Sequence, residues 1–568
     1  MNSSRRPFAH VGLPFLITLA AVALLVGDRA ARAQAPKADL SFIDRGDIGT
    51  LDPNRASWMQ DIRVASALWE GLYMNSATTF EPELAAAEKV ELSDDKTVWT
   101  FHLRENAKWS NGDPLVSADF TFAWKRMLDE PGDYTYLIDQ YVKGAKEYED
   151  AFADYLAKRG SGAQATPPDF KTVGMEALDT ATVRITLKHP VSFFPDLCAF
   201  PCYFPLNERA MKGFREVDPK TERVTYNAAW ATPPNLVTNG AYKLTKWQLR
   251  VGMWLEQNEF YWDRANVKNK SVQVVVVDEP LTGYRKFMSG EVDLLTEVTA
   301  DIAADMVKAG QKEIHIVPSF GTYFYSFNCS EKLPDGRVNP FADKRVRQAL
   351  TMAIDKKPIV QNITKCGEAV TDLYVPPDVF NGYAQAPGLA YDVKAARKLM
   401  NEAGFPGGKG FPNVKLTFNT ESPEHKLIAE YVTNQWQKNL NVKIELEGVE
   451  IKQFQQRLHN KDYDVARASW YGDYMDISTF TDKYLSWSLN NDSNWKNPQY
   501  DQLCKDAAPE ADPKKRYELL SQAEGILNQE VPILPLYSYV NKLAYRDNVK
   551  GLVPNPRNII VLKAISAR

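Results

Sequence analysis

Residues 463–480, YDVARASWYGDYMDISTF, carry the pattern around which the rest of the chain is organised. The stretch begins as a β-strand whose apolar residues are interrupted by Arg467. It continues through two aromatic residues to Asp473, an acid between aromatics where the strand pattern ends. A carboxylate in such surroundings loses part of its hydration and is best stabilised by a cation. The pattern indicates a cation-binding acid or, alternatively, a solvated loop acid beside a core tryptophan.

The first 35 residues have the pattern of a secretory signal peptide. Two arginines precede an apolar segment at 11–26, and small residues at 31–33 or 33–35 offer a cleavage site. The apolar segment is short for a membrane span, and no cysteine precedes Cys198, which argues against a lipidated signal. We therefore expect a soluble protein exported to the periplasm and not a lipoprotein. The alternative is an uncleaved N-terminal anchor.

Charge and cysteine content exclude several classes of protein. Residues 1–35 contain four of the 68 basic and one of the 72 acidic residues, so their removal leaves 64 and 71, a net charge of about −7. This balance argues against nucleic acid or an anionic membrane as a partner. Five cysteines give no disulfide framework in a chain of this size. Pairing Cys198 with Cys202, or Cys329 with Cys366, stays open, and Cys504 makes the count odd.

Hydrophobic periodicity predicts alternating strands and helices. Strands are expected at 40–43, 98–103, 181–187 and 272–277, the last buried on both faces. Helices are expected at 61–73, 117–128, 146–159, 392–403 and 512–527. A strand at 414–418, a helix at 424–440 and a strand at 442–446 form a β-α-β unit. Such a unit requires a parallel strand pair and therefore α/β architecture.

Several motifs occur in a fixed order along the chain: EPELA (81–85), WTFHLR (99–104), KWSNGDP (108–114), VTNGAY (237–242), GEVDLL (290–295), RVRQAL (345–350) and DVARASWYGDY (464–474). This ordered series resembles the dipeptide- and oligopeptide-binding proteins that serve ABC importers, the extracellular solute-binding proteins of family 5. The similarity covers essentially the whole mature chain. Because one fold hosts many ligands, it is stronger support for the family than for the exact ligand.

The resemblance implies a two-lobed, clam-like α/β fold of the periplasmic-binding-protein type, with an extra N-terminal domain. Lobe I would comprise residues 36–69, 190–318 and 538–568, the extra domain II residues 70–189, and lobe III residues 319–537. Two chain crossings, near 321–328 and 534–540, would form a hinge, so that the lobes close around a ligand. We expect a monomer.

The resemblance also assigns roles to the opening stretch. In peptide-binding members, the acid of a W-x-x-D-Y motif receives the α-ammonium of the ligand, and Trp470, Asp473 and Tyr474 match that motif. A buried ammonium needs such a carboxylate partner. Binding that ignores peptide sequence uses the peptide main chain as an added strand. The strand before Trp470 would form one side, and Ser57, Trp58 and Met59, unless they are an ordinary surface loop, would form the other.

The C-terminal carboxylate of a peptide needs a cation, preferably an arginine. The positions that match basic residues used for this purpose in family members are Arg457, Arg467 and His425. Each could equally be solvated or paired with an acid of the protein.

Two departures from the family pattern reshape the side-chain pockets. Ile451 replaces a tryptophan that is common in relatives, and Tyr471, which we place among the ligand-binding residues, replaces a cysteine found in some members. The matching partner position is Gly321, so the disulfide known in those members should be absent. Peptide length and sequence preference therefore do not carry over.

Two other kinds of function share these features. A protein of the same fold could bind a metal chelate, a sugar, an opine or haem, and a sensory receptor subunit would present the same site. An enzyme is disfavoured because the chain lacks G-x-S-x-G, H-E-x-x-H, Walker A and zinc-type cysteine motifs. We expect no catalytic activity, no metal and no cofactor. The predicted function is capture of short peptides and their delivery to a membrane-embedded ABC permease driven by its ATPase.

Overall fold

The computed structural model describes residues 37–44, 46–510 and 512–567. The predicted signal peptide, residues 1–35, lies outside the described residues. Among the helices that are described, none is long and apolar enough to cross a membrane.

The described strands alternate with helices along most of the chain. The strands are β1 (Leu40–Ile43), β2 (Tyr73–Asn75), β3 (Pro82–Leu84), β4 (Ala87–Leu92), β5 (Val98–Leu103), β6 (Met175–Ala177), β7 (Thr182–Thr186), β8 (Arg215–Val217), β9 (Val224–Tyr226), β10 (Tyr242–Gln248), β11 (Gly252–Gln257), β12 (Ser271–Val275), β13 (Leu294–Leu295), β14 (Ile314–Phe327), β15 (Ala369–Val370), β16 (Lys415–Asn419), β17 (Glu445–Val449), β18 (Val465–Tyr471) and β19 (Ile533–Tyr545). The α-helices are α1 (Met59–Leu68), α2 (Ser117–Asp129), α3 (Tyr136–Asp139), α4 (Ala145–Gly160), α5 (Phe194–Cys198), α6 (Glu208–Met211), α7 (Pro280–Ser289), α8 (Ala300–Lys308), α9 (Lys344–Met352), α10 (Val393–Glu402), α11 (Pro423–Leu440), α12 (Ile451–His459), α13 (Ser478–Thr481), α14 (Pro498–Ala507) and α15 (Pro513–Glu530).

One mixed sheet runs through the molecule in the order β10-β11-β12-β1-β13-β19-β14-β18-β16-β17, with β15 on the side of β19. Its two long central strands, β14 and β19, pair antiparallel and carry irregularities of register near Pro318 and Tyr323. The predicted hinge segments, 321–328 and 534–540, overlap these strands. A separate antiparallel sheet, β4-β5-β7-β6, belongs to the N-terminal part of the chain.

The buried apolar side chains fall into separate clusters. The largest, which we call the first core, combines residues between 40 and 294 with residues between 543 and 567, and it also includes Tyr474. Two further clusters, the second and third cores, are built from residues 320–537. The domain boundaries given above remain a prediction.

The β-α-β unit of the C-terminal half is confirmed. β16 and β17 pair in parallel, and α11 connects them. The helix has Pro423 in its first turn and buries Ile428, Val432 and Trp436. β17 begins three residues later than predicted because the N–H of Val442 donates to the Trp436 carbonyl, which keeps that residue in the turn after the helix.

Two expectations about N-terminal elements are wrong in detail. α1 ends at Leu68, whereas the periodicity predicted a helix to residue 73. The Glu70 N–H donates to Asn239 Oδ1 (3.0 Å), and Asn239 Nδ2 donates to the Glu70 carbonyl (2.8 Å), so a distant side chain replaces the helical hydrogen bonds.

The second expectation concerned β12, which is not buried on both faces. Val272 and Val274 are buried, but the alternate residues are only half-buried. Its β-branched run reflects strand propensity.

Candidate ligand-binding site

A cavity of about 1480 Å³ lies between the lobes. Its wall is formed by the start of α1, the turn between β16 and α11, one side of α12, β18 with the loop that follows it, and the C-terminal segment 556–563. It is larger than the usual 300–1,000 Å³ of small-molecule pockets. Eight of the nine predicted site residues line it: Ser57, Trp58, Met59, His425, Arg467, Trp470, Tyr471 and Asp473. Arg457 is not among the lining residues.

The edge of β18 that borders the cavity is open. On one side β18 pairs with β14 over seven residues, from Val465 opposite Phe327 to Tyr471 opposite Gly321. On the other side, β16 pairs only with Val465 and Ala466. Among the described strands, none pairs with residues 467–470 on that side, and all four of these residues line the cavity. An unpaired strand edge offers N–H and C=O groups to an extended chain.

Asp473 stands two residues beyond the end of β18. The hydroxyl of Tyr136 donates a hydrogen bond to its Oδ2, and its own N–H donates to Thr479 Oγ1 (2.9 Å). In the described part of the chain, its carboxylate forms no ion pair within 4.0 Å. Burial raises the pKa of Asp473 to about 6, although hydrogen bonds from Tyr136 and Tyr134 act in the opposite direction. The charges of Arg557 and Lys483 also lower this pKa. The site thus holds a half-buried carboxylate that forms no ion pair within 4.0 Å with any cation of the described residues.

The aromatic residues before Asp473 are fixed by neighbours. Trp470 Nε1 donates to the Thr479 carbonyl (2.8 Å), and the Lys483 ammonium lies 4.7 Å from the centre of the Trp470 ring. Tyr471 is 41% exposed and stacks on Tyr539 with ring centres 4.9 Å apart. This ordering leaves the open edge of β18 flanked by rigid aromatic surfaces, which suit an extended ligand.

Arg467 provides a cation at the other end of the open edge. One Nη donates to the Tyr539 hydroxyl (2.7 Å), and the guanidinium lies 4.9 Å from the centre of the Tyr323 ring. Its Nε is buried without a hydrogen-bond partner. No carboxylate among the described residues forms an ion pair with it. A guanidinium held by tyrosines alone is available to an anionic group.

Comparison with known proteins decides the family. The model of the bacterial extracellular solute-binding proteins, family 5 (middle region), matches residues 79–492. The chain belongs to this family. The family 5 protein is 32% identical over 515 residues to the oligopeptide-binding protein OppA of Bacillus subtilis, which covers 89% of this chain and 88% of that relative. It is also 32% identical over 566 residues to the periplasmic oligopeptide-binding protein OppA of Salmonella typhimurium, covering 97% and 96%.

A solved structure shows the same architecture. The murein tripeptide binding protein MppA of Escherichia coli superimposes on this family 5 protein with a TM-score of 0.80 at 28% identity, covering 94% of this chain and 99% of that one. The comparisons confirm the resemblance and the two-lobed α/β fold that the ordered motifs predicted.

Two of the three predicted cations of the family 5 protein are unsuited to an anion in the cavity. Burial, with the nearby Arg467 guanidinium, lowers the pKa of His425 to about 2, so its imidazole is neutral at ordinary pH. Arg457 Nη1 forms an ion pair with Glu447 (3.0 Å), and its Nε lies 3.6 Å from Asp462. His425 can still serve as a neutral hydrogen-bonding group beside the Tyr323 hydroxyl, at 3.4 Å.

The residues that sequence reasoning missed come from distant segments. Tyr136 and Tyr134 meet Asp473 across more than 330 positions of sequence, and Arg557 donates to the Asp473 carbonyl (3.1 Å). Lys542, on β19, adds a further cation to the cavity wall. None of these residues lies in a motif that points to a ligand, so only the tertiary structure reveals them.

The cysteines of the family 5 protein are all free thiols. Neither Cys198–Cys202 nor Cys329–Cys366 is bonded. Gly321 lies opposite Tyr471 as expected, and a Cβ at position 321 would lie 2.6 Å from the Tyr471 ring, so this position favours glycine. Within the described ranges, no group of three His, Cys, Asp or Glu side chains could hold a metal ion.

Proposed function

We propose that this protein captures short peptides between its lobes and delivers them to an ABC importer. One observation carries the proposal: three groups follow one another along a single cavity. They are the Asp473 carboxylate and the Arg467 guanidinium, neither of which forms an ion pair with a described residue, and the open edge of β18 between them. An extended peptide supplies an ammonium, a main chain and a carboxylate in the same sequence. Each group of the site therefore has a complementary group on the ligand.

The spacing of the two charged groups favours short peptides. Asp473 and Arg467 are six residues apart, which corresponds to at most about 20 Å along an extended strand. A peptide bound at both ends would thus have no more than about six residues. Longer peptides would have to bend or leave the strand edge.

The relatives support the rest of the proposal. OppA of B. subtilis and of S. typhimurium are named as oligopeptide-binding proteins, and MppA as a murein tripeptide binding protein. By analogy, the chain acts as a periplasmic monomer that hands its ligand to a membrane-embedded permease with its ATPase. Export would use a cleaved, non-lipidated signal peptide at residues 1–35. The chain itself performs no catalysis, and the transport energy comes from the ATPase.

Native mass spectrometry with a competing ligand mixture tests this function. The mature protein is incubated with tri- to hexapeptides, a nickel chelate, a sugar, an opine and haem at equal concentrations. We expect retained ligand masses to be those of peptides only. Retention of another ligand class, with no peptide bound, would overturn the proposal and favour a non-peptide ligand on the same scaffold.

Peptide affinity is expected to rise with pH between 5 and 7. The pKa of Asp473 is raised from 3.8 to about 6, so between these two pH values the folded protein binds a proton that the unfolded chain has lost. The free energy of unfolding therefore falls as the pH rises from 3.8 to about 6, because the folded protein then has to ionise a carboxyl group that it holds better when protonated. An ammonium ligand binds the ionised form, so the Kd at pH 5 should be about tenfold higher than at pH 7.5. Isothermal titration calorimetry at several pH values measures this, and Asp473→Asn should flatten the profile. A wild-type Kd that does not vary with pH would contradict the assignment.

Replacing Arg467 by methionine should weaken peptides that carry a free C-terminal carboxylate. A hydrogen bond to a charged group contributes about 1.5–3 kcal/mol, so the expected loss is roughly 10- to 100-fold. Peptides with a C-terminal amide should lose less than about threefold. Arg457→Met is the matched control, because that guanidinium pairs with Glu447 outside the cavity lining. Equal losses for acid and amide peptides would rule out the carboxylate role.

A further inference from the structure

The loop that carries Asp473 is held by two charged side chains from outside the segment 320–537. Arg557 donates through one Nη to the Asp473 carbonyl (3.1 Å) and through the other to Asp196 Oδ1 (2.8 Å). Asp196 Oδ2 accepts the N–H of Met475 (2.7 Å). The ion pair therefore binds the main chain on both sides of Tyr474.

These contacts connect the part of the molecule that contains the first core with the part that contains the third core. Asp196 lies in α5, next to residues of the first core, and Arg557 precedes the residues at 560–567 that complete that core. The loop follows β18, whose Ala468 belongs to the third core. Tyr474 itself is buried in the first core, where its ring stacks on Phe193 at 4.6 Å. The loop thus lies within the residues predicted to form lobe III, whereas Asp196 and Arg557, which bind its main chain, lie within those predicted to form lobe I.

The arrangement leaves little freedom for the peptide groups around Asp473. The side chains of Asp196 and Arg557 are only 4% and 13% exposed, so their hydrogen bonds are largely shielded from water. Bonds to charged groups are stronger than neutral ones, and a guanidinium fork fixes direction as well as distance. The carbonyl of residue 473 and the N–H of residue 475 are both bonded to this pair, which restrains the main chain next to Asp473. Tyr136 and Thr479 bind the side chain and the N–H of Asp473 itself.

We propose that Asp196 and Arg557 are positioning residues that set the Asp473 carboxylate toward the ligand ammonium when the lobes are together. The inference rests on the proposed function, since it requires an ammonium-bearing ligand at Asp473. Asp196 is not among the residues that line the cavity, so its influence on the ligand is indirect. Separation of the lobes would break the bonds to residues 473 and 475, whereas the ion pair itself would remain. Formation of the ammonium site is thereby coupled to closure.

The test is the ratio of Kd values for one tetrapeptide in N-acetylated and free form, measured by titration calorimetry. In the wild-type protein we expect this ratio to be at least 100. In Asp196→Asn, an amide replaces one of the two accepting oxygens, so either the Met475 N–H or the Arg557 guanidinium loses its partner. We expect the free peptide to bind about tenfold more weakly and the acetylated peptide to change less than twofold, so the ratio falls to about 10.

Two further variants separate positioning from simple stabilisation. Asp52→Asn disrupts the comparably buried pair between Asp52 and Arg126 (2.6 Å), which does not touch the loop. It should lower the melting temperature but leave the ratio at its wild-type value. Arg557→Lys keeps the charge beside Asp196 but lacks the planar fork, and it should also lower the ratio. It provides the readout if Asp196→Asn does not fold.

The outcomes are distinct. If the ratio of Kd values does not change in the folded variants, the positioning role is overturned. It is also overturned if both peptides lose affinity equally, because the pair would then only hold the two lobes together. If the wild-type protein binds neither peptide, the proposed function has failed instead.

Discussion

Asp473→Asn is expected to weaken the binding of peptides with a free α-amino group by roughly 100- to 1000-fold, or about 3–4 kcal/mol. The carboxylate is half-buried and accepts a hydrogen bond from Tyr136, and within the described ranges no cation forms an ion pair with it. An asparagine keeps the shape but leaves the ligand ammonium buried without a compensating charge. Removing one member of a buried charge pair is costly because the other charge stays desolvated. Titration calorimetry with a tri- to pentapeptide series measures the loss.

Two comparisons show whether this loss comes from the ammonium. An N-acetylated peptide carries no positive charge at its first residue, so its affinity should be nearly the same in both proteins. Asp133→Asn removes an exposed carboxylate from the same cavity wall and should change affinity by less than about twofold, since solvent screens exposed charges. A loss of less than fivefold in Asp473→Asn would argue against the ammonium site.

Gly472→Ala is expected to cost about 1–3 kcal/mol of folding free energy and to impair peptide binding as well. A Cβ at this position would overlap the ring of Phe320. That ring is 1% exposed and packs edge-on against Phe380 and Phe480, with ring centres 5.6 and 5.2 Å away, so moving it would disrupt these contacts. The displaced backbone is the one that leads directly to Asp473. Urea unfolding monitored by tryptophan fluorescence gives the change in stability.

Gly213→Ala is the matched control for this substitution. A Cβ there would meet no atom within 4 Å, so its unfolding midpoint should not fall. If Gly472→Ala unfolds at the same urea concentration as the wild-type protein, the close packing of this turn against Phe320 does not constrain the loop in solution.

The sequence pattern predicted those features of the fold and the site that depend on residues close to one another in the chain. The strand that became β18, the β-α-β unit around α11 and the acid at the end of the strand were all predicted from periodicity and residue type. Each depends on side chains within a few positions of one another or on a short return of the chain. The motif that singled out Asp473 also lies within one continuous stretch.

The remaining parts of the site depend on partners that are remote in sequence. Tyr136 reaches Asp473 across more than 330 positions, and Asn239 ends α1 by bonding to the backbone of Glu70. Arg457 matched a family position, but its neighbour Glu447 neutralises it outside the cavity lining. His425 likewise matched, and only its burial shows that it stays neutral. Burial and ion pairing are properties of the folded chain, so residue type alone could not distinguish these cases.

The central claim is that the cavity binds a peptide through its α-ammonium, and differential scanning calorimetry of the wild-type protein tests it most directly. A ligand present at about one hundred times its Kd stabilises the folded state by about 2.7 kcal/mol. Free tri- to pentapeptides should therefore raise the melting temperature, and their N-acetylated forms should raise it much less. Equal shifts for free and acetylated peptides, or no shift across a broad peptide library, would contradict the claim.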